Sequence, residues 1–241
     1  DNFIPNPELD SEILMAKIIQ KDRKYVLLNS NESLTISDLN KFYNLIKKRS
    51  LHNPVAYLIK KKFFWNSEFF VTKDTLIPRP DTELIVENIL SLTKHKNKIK
   101  ILDIGIGSGC ILLSILKERE NFYGTGVDIC KKCLNISRIN AVNLKVYNRL
   151  KLYKSDVDKF NLGKYDLIVS NPPYIKKCKL RYLERDVASF EPKVALDGGL
   201  DGLSEIRKVI KKSSELIKKN GKFILEIGFD QKNKVINLLK K

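Results

Sequence analysis

The chain is poor in the residues that most often carry proton-transfer and metal chemistry. Histidine occurs twice in 241 residues, as His52 and His95, and neither has a Cys, Asp or Ser at a motif spacing. That argues against a histidine-based metal centre or a histidine-driven nucleophile. The four cysteines are Cys110, Cys130, Cys133 and Cys178, which is no disulfide framework in a chain this long. They fit a reducing, cytoplasmic compartment. Cys130 and Cys133 are spaced like half a zinc site, but no second pair and no paired histidine completes it. They read as small residues at the start of a helix, and no metal is expected. No apolar run reaches the ~20 residues needed to span a bilayer. The opening DNFIPNPELD has neither a basic n-region nor an apolar h-region, so no secretory leader is expected in it. It lacks an initiator Met, which points to a fragment or a processed chain.

What is present suits a folded protein of one large domain or two smaller ones, with 43% hydrophobic residues. The formal net charge is +17, from 45 basic and 28 acidic residues. Residues 1–70 hold 11 basic and 8 acidic side chains, so most of the excess lies in the remainder. A polyanionic partner, such as ribosomal RNA or another nucleic acid, is one reading of that charge. Simple solvation of a chain rich in Lys, Ile and Asn is the other, and Lys outnumbers the Arg that phosphate forks favour.

The first sixty residues predict a small helical domain. Residues 6–20 carry a cap candidate in Asn6, a proline at the first helical position, and Leu9, Ile13, Ala16 and Ile19 at helical spacing. Residues 35–49 predict a second amphipathic helix with Leu39, Phe42 and Ile46 on one face, and PVAYLI a short third one. KFFWNSEFFV, residues 62–71, predicts a β-hairpin around Asn66-Ser67. Prolines 78 and 80 force an extended path, and Asp81 or Thr82 caps the helix that follows. From residue 99 strand and helix alternate: strands at 100–105, 123–129, 150–154, 165–170 and 222–228, and helices at 109–119, 131–142, 201–219 and the end of the chain. That alternation predicts an α/β domain, a mostly parallel sheet with helices on both faces. The predicted division is thus a helical domain over 1–60, a hairpin and linker over 61–80, and the α/β domain over 81–241.

On such a sheet ligands bind beyond the carboxyl ends of the strands, and every motif here falls at such an end. The first strand ends in Asp103 and runs into Gly105, Ile106, Gly107, Ser108 and Gly109 before the next helix. Its G-x-G-x-G spacing differs from the G-x-G-x-x-G that cradles a dinucleotide pyrophosphate. The second strand puts Asp128 beyond its tip, about 20 residues on, where a carboxylate grips ribose hydroxyls. The third ends in Ser155, Asp156 and Val157, an acceptor and a backbone N–H suited to flank an adenine. A nucleoside without a phosphate tail fits, and S-adenosylmethionine is one. The pattern resembles that of the class I methyltransferases, with their Rossmann-like fold.

The fourth strand ends in Asn171-Pro172-Pro173-Tyr174. A planar NH₂ has a delocalised lone pair and a proton far too weakly acidic for a side-chain base. Two acceptors, the Asn171 side-chain oxygen and the Pro172 carbonyl, can hold its two N–H groups and aim the nitrogen at a methyl carbon. Such bonds strengthen as the nitrogen gains positive charge. The prolines stiffen the frame and remove competing donors. Tyr174 offers a face for the planar substrate.

These residues, with TLIPRPDTE (75–83), the aromatic hairpin and FEPKVALDGGLDGL (190–203), closely resemble the HemK/PrmC protein-(glutamine-N5) methyltransferases. The resemblance spans most of the chain and is most diagnostic in IPRPDTE. It implies transfer of a methyl group from S-adenosylmethionine, leaving S-adenosylhomocysteine, to the glutamine of the Gly-Gly-Gln motif of class I peptide-chain release factors. It implies that Gly105–Gly109, Asp128, Val157 and Asn171 line the cofactor site, that Asn171–Tyr174 hold the glutamine, and that Arg79 and Pro80 lie near the cofactor as part of a lid. Two departures stand out. Val157 occupies a place where the family often has an aromatic. The chain also stops at INLLKK, where such domains usually continue into an antiparallel strand pair, so an incomplete sheet is expected. The alternatives are an amino-methyltransferase of nucleic-acid bases, acting on adenine N6 or guanine N2, and a non-catalytic binding module. The absence of a separate base-recognition domain and the intact Asn171–Tyr174 turn speak against them respectively.

Overall fold

A computed structural model describes residues 3–240. In chain order the elements are α1 (Pro7–Ile19), α2 (Arg23–Leu28), α3 (Ile36–Ser50), α4 (Val55–Ile59), β1 (Lys61–Phe64), β2 (Ser67–Phe70), α5 (Glu83–Leu92), β3 (Lys100–Ile104), α6 (Cys110–Glu118), β4 (Tyr123–Asp128), α7 (Lys131–Asn143), β5 (Leu150–Lys154), β6 (Tyr165–Ser170), α8 (Arg185–Phe190), α9 (Ser204–Leu216), β7 (Ile217–Leu225) and α10 (Lys232–Leu239). They form two compact units. One comprises the chain up to Lys61 together with Glu184–Phe190; the other comprises Lys62–Leu183 and the chain from Glu191 on.

In the helical unit the three predicted helices form, but their details differ from the sequence pattern. Asn6 sits at the cap of α1 without making a capping bond, so the start rests on the preset φ of Pro7. The buried face of α1 centres on Leu14 and Ala16, while Leu9 is exposed. Thr35 caps α3 by accepting from the Asp38 N–H at 3.1 Å. The extra helix α2 is six residues long, too short to show a period, and starts where Asp22 accepts from the Tyr25 N–H at 2.7 Å. The one buried residue of α3 is Arg49. Its Nε donates to Asp10 Oδ2 at 2.6 Å and its Nη1 to Asp186 Oδ2 at 2.7 Å. His52 Nδ1 lies 2.9 Å from Asp186 Oδ1. A partner 134 residues away is invisible to any motif spacing, and it explains why a segment beyond β6 belongs to this unit.

In the second unit the hairpin turns one residue earlier than predicted, on Trp65-Asn66, with Trp65 at φ +50°. Phe64 and Phe69 then meet edge to face at 6.1 Å. The buried Asn140 of α7 fastens this hairpin. It accepts from the Phe70 N–H at 2.7 Å and donates to the carbonyls of Phe70 and Ser108. The five remaining strands form one parallel sheet in the order β5-β4-β3-β6-β7. Period-two alternation sends Ile101, Leu167 and Val169 to a core beneath α5, α6 and α7, and Leu102, Ile104 and Ile168 to one beneath α9. The last strand begins at Ile217, earlier than predicted. The register breaks after Ile217 and its ladder with β6 resumes at Lys222. Among the described residues no helix is long and apolar enough to cross a membrane.

Arg49→Met leaves Asp10 half-buried without its counter-charge and Asp186 with His52 as its remaining partner. It is expected to destabilise the helical unit by about 3 kcal/mol, read by denaturant unfolding. A loss under 1 kcal/mol would show that the network is solvent-screened.

Candidate active site

The strand order reverses between β3 and β6, and a cavity of about 870 Å³ opens over their carboxyl ends. Parallel register sets the tips side by side. Ile104 pairs with Val127 and with Ser170, Asp128 with Lys154, and Ser170 with Leu225. The next residues along are therefore Gly105, Asp128, Ser155, Asn171 and Glu226, in neighbouring positions.

Gly105, Gly107 and Gly109 all have positive φ, at +78°, +56° and +84°, a region that L side chains rarely adopt. A Cβ on Gly105 would meet nothing within 4 Å, so the loop borders open cavity. Ile106 and Ser108 line the same wall. Asp128 shapes the loop: its Oδ2 accepts from the Gly107 N–H at 2.9 Å and its Oδ1 from the Cys130 N–H at 2.8 Å. Asp156 and Val157 line the cavity beyond β5, and Asp156 also caps the following turn by accepting from the Asp158 N–H.

Asp103 is fully buried beneath this loop, on the face of β3 that packs against α6, and neither carboxyl oxygen has a hydrogen-bond partner. Burial first, and the neighbouring Asp128 second, push its carboxyl up to about 7. An uncompensated acid, a ribose-type carboxylate and an acceptor for an exocyclic amine suit a cationic nucleoside. The residues present therefore fit S-adenosylmethionine. Cys130 and Cys133 stand at the start of α7, where the Cys133 N–H donates to Cys130 Sγ, and Cys178 is exposed. Burial raises the Cys110 thiol to about 12 and raises Cys133 as well, and Cys133 Sγ donates to the Asp74 carbonyl. No metal-binding cluster occurs among the described residues.

Asn171, Pro172 and Pro173 line the cavity opposite the glycine loop. Among the described residues no donor reaches the Asn171 side-chain oxygen or the Pro172 carbonyl. Tyr174 differs from expectation: it does not line the cavity. Its ring packs with the cluster of Leu203, Ile206 and Val235, and its hydroxyl donates to Glu226 Oε1 at 3.3 Å. The stiff turn directs residues 171–173 to the cavity and 174 into the wall. Burial, then Glu226, raise the Tyr174 phenol to about 12. Arg79 lines the cavity as expected, whereas Pro80 opens the turn Pro80–Thr82 and Pro78 takes the lining place.

Three contributors were not foreseen. Glu191 is buried, accepts from the Ile77 N–H at 3.2 Å, and receives Arg79 Nη2 at 2.6 Å, which holds that guanidinium at the cavity. Gly198 supports the Asn171–Tyr174 turn from behind. A Cβ there would lie 2.8 Å from Tyr174 Cα and 2.9 Å from the Pro173 carbonyl. Its N–H donates to the Ile175 carbonyl at 2.8 Å. Thr82 begins α5 without capping it. Instead its hydroxyl donates to Glu226 Oε2 at 2.8 Å and accepts from Asn171 Nδ2 at 3.2 Å. The repeated glycines of LDGGLDG were the sequence signal available for Gly198, and the acidic tip of the last strand, in FILEIG, for Glu226, the partner of Thr82.

Residues 1–59 match the PrmC N-terminal domain and residues 80–186 the methyltransferase small domain. A release factor glutamine methyltransferase of Buchnera aphidicola subsp. Acyrthosiphon pisum is 38% identical over 240 residues, covering 100% of this chain and 86% of the relative. One from Clostridium acetobutylicum is 35% identical over 95% of this chain and 82% of its own length. A bifunctional methyltransferase of Rickettsia typhi is 34% identical, and the chain spans 48% of it. Among solved structures, a ribosomal protein L11 methylase from Lactobacillus delbrueckii subsp. bulgaricus superposes with a TM-score of 0.50 at 18% identity, over 68% of this chain and 69% of that one. That likeness concerns the fold alone.

Two outcomes follow from the geometry. Gly198→Ala forces a Cβ against the backbone of the turn and should lower turnover about tenfold or more without loss of the folded state, read by kinetics beside circular dichroism. Asp103 has a raised carboxyl, so its contribution to stability is present at low pH and is lost as pH rises through about 7. The ligand-free protein should lose about 5–10 °C in Tm between pH 5 and 8, and Asp103→Asn should remove most of that slope. Equal slopes in the two proteins would show that Asp103 is not the group responsible.

Proposed function

The chain belongs to the release factor glutamine methyltransferase family, and on that premise we propose that its cavity carries a methyl group from S-adenosylmethionine to the side-chain amide nitrogen, N5, of a release factor glutamine, the one in the Gly-Gly-Gln motif. One observation carries the site assignment: Asn171 and Pro172 line the cavity just past the strand next to the glycine loop, and among the described residues neither Asn171 Oδ1 nor the Pro172 carbonyl has a donor.

S-adenosylmethionine, when bound, supplies an electrophilic methyl group on a sulfonium. The chain supplies the rest by position. Asp128 would take the ribose hydroxyls, and Asp156 and Val157 would flank the adenine. Asn171 Oδ1 and the Pro172 carbonyl each accept one amide N–H of the glutamine. Those two bonds fix the plane of the amide and strengthen as its nitrogen becomes positive. Orientation of this kind is worth up to about 7–11 kcal/mol in favourable systems. The surplus proton leaves after transfer, to water, so no side-chain base is needed, consistent with the lack of any histidine at the cavity.

The helical unit docks the release factor in this reading. Its exposed Leu27, Leu28, Ile36 and Tyr43 support a protein-facing role. The net charge of +17 supports a salt-sensitive attraction to ribosomal RNA near that substrate.

Labelled S-adenosylmethionine incubated with release factor, a Gln→Ala release factor, DNA and RNA should label the wild-type release factor alone. Label on nucleic acid would replace this reading with base methylation. Asn171→Ala should lower turnover by about 10²-fold, while cofactor affinity stays within about tenfold. Unchanged turnover would remove Asn171 from its role.

A further inference from the structure

An amide side chain can present either its oxygen or its NH₂, and only one choice serves the role given to Asn171. If NH₂ faced the substrate, donor would meet donor. The side chain itself does not decide between these rotations, because the two ends have nearly the same shape. Something beside Asn171 must decide.

Thr82 supplies the decision. Its hydroxyl is buried and has one proton. That proton goes to Glu226 Oε2 at 2.8 Å. Towards Asn171, at 3.2 Å, the same oxygen can then only accept, so Asn171 must turn its Nδ2 to Thr82. Its oxygen is left for the cavity. Glu226 in turn is fixed from two sides, by the strand-tip bond from its N–H to the Ser170 carbonyl at 3.0 Å and by the Tyr174 hydroxyl. The elements involved are far apart in sequence: the turn before α5, the end of β6 and the end of β7.

We propose that Thr82 and Glu226 are positioning residues that lock the Asn171 amide with its oxygen toward the substrate, a one-way chain of hydrogen bonds running from Asn171 through Thr82 to Glu226. The inference rests on the methyl-transfer reading above and adds two residues to it. It also explains two oddities. Thr82 stands at a helix start without capping it because its hydroxyl is engaged elsewhere. Tyr174 faces away from the cavity because its hydroxyl holds the acceptor at the end of the chain.

The direction of the chain depends on Glu226 being ionised. Burial lifts its carboxyl above the ordinary range, and the Thr82 and Tyr174 hydroxyls pull it back, helped by the Asn171 NH₂, which faces Glu226 as well as Thr82 and so favours the same rotation of the amide. The other titratable groups facing this cluster are Asp81 in the turn before α5, which raises Glu226, Arg79 beside Tyr174, and Cys110 at the start of α6. Once protonated, Glu226 donates to Thr82. The Thr82 proton is then free to point at Asn171, and the amide turns its NH₂ to the cavity. Turnover should therefore be lost as pH falls through a value above the ordinary glutamate range.

The test compares wild type, Thr82→Val, Thr82→Ser and Glu226→Gln. Thr82→Val keeps the shape and removes both hydrogen bonds. It should lower kcat about tenfold, the scale of one lost hydrogen bond, with cofactor Kd and substrate KM nearly unchanged. Thr82→Ser should restore kcat to near wild type. Glu226→Gln should lose the acid limb of the kcat profile. In the ligand-free protein, the Asn171 side-chain NH₂ resonances, assigned by their loss in Asn171→Asp, should shift with pH in wild type and not in Glu226→Gln. The inference is overturned if Thr82→Val turns over normally, if Thr82→Ser is as slow as Thr82→Val, or if the acid limb and the resonance shift persist in Glu226→Gln. Failure of wild type itself to methylate release factor would instead overturn the underlying reading.

Discussion

Parallel pairing that brings the strand tips into register is the constraint on which the molecule depends. Because β3 pairs Ile104 with both Val127 and Ser170, and β6 pairs Ser170 with Leu225, four strands end on one line. At a strand end the ladder runs out, so side chains and the backbone beyond it can turn, cap and bind. The glycine loop, Asp128, Asn171 and Glu226 all stand at the last rung or just past it, with the Gly105 and Glu226 N–H groups still bonded to the neighbouring strand. A shift of one residue in any pair would send the tip side chain to the other face of the sheet.

The same line of tips concentrates acids in a place with little water. Asp103, Asp128 and Glu226 all lie above their ordinary carboxyl range, and burial is the largest cause in each case. Asp128 meets part of that cost with backbone N–H groups, and Glu226 with the Thr82 and Tyr174 hydroxyls. Asp103 has no such partner at either carboxyl oxygen among the described residues, and its carboxyl is raised to about 7, with burial the largest cause. The opposite wall is stiffened from behind. The segment around Gly198 pairs with the backbone of Ile175 and Lys177, closely enough that a side chain at 198 has no room. The turn at 171–174 is thus held by its prolines from within and by a glycine-rich loop from outside.

Most of this architecture was legible along the chain, because strand-helix alternation and turn chemistry are local. The five strands of the sheet and the helices α5 to α7 follow from the periods of their apolar residues, and the cofactor loop from its glycines. What escaped was short or non-local. Helix α2 is too short to carry a period. The hairpin turn sits on Trp65-Asn66 with Trp65 in the left-handed region, a conformation that a bulky side chain does not signal in advance. Thr82 has the composition of a helix cap, and only Asn171 and Glu226, 89 and 144 residues downstream, turn its hydroxyl elsewhere. Tyr174 reads as a substrate platform until the cluster around Leu203 and Ile206 is seen to claim its ring.

By itself the sequence determined which groups would stand at the strand ends. A residue's place at a tip is set by where its own strand runs out of β-favouring side chains and meets Gly, Asp or Pro. The tertiary structure alone decided which way those groups face and what they hold. A hydroxyl's single proton, an amide's rotation and an arginine's partner are settled by atoms brought from distant parts of the chain, and no local preference distinguishes the choices.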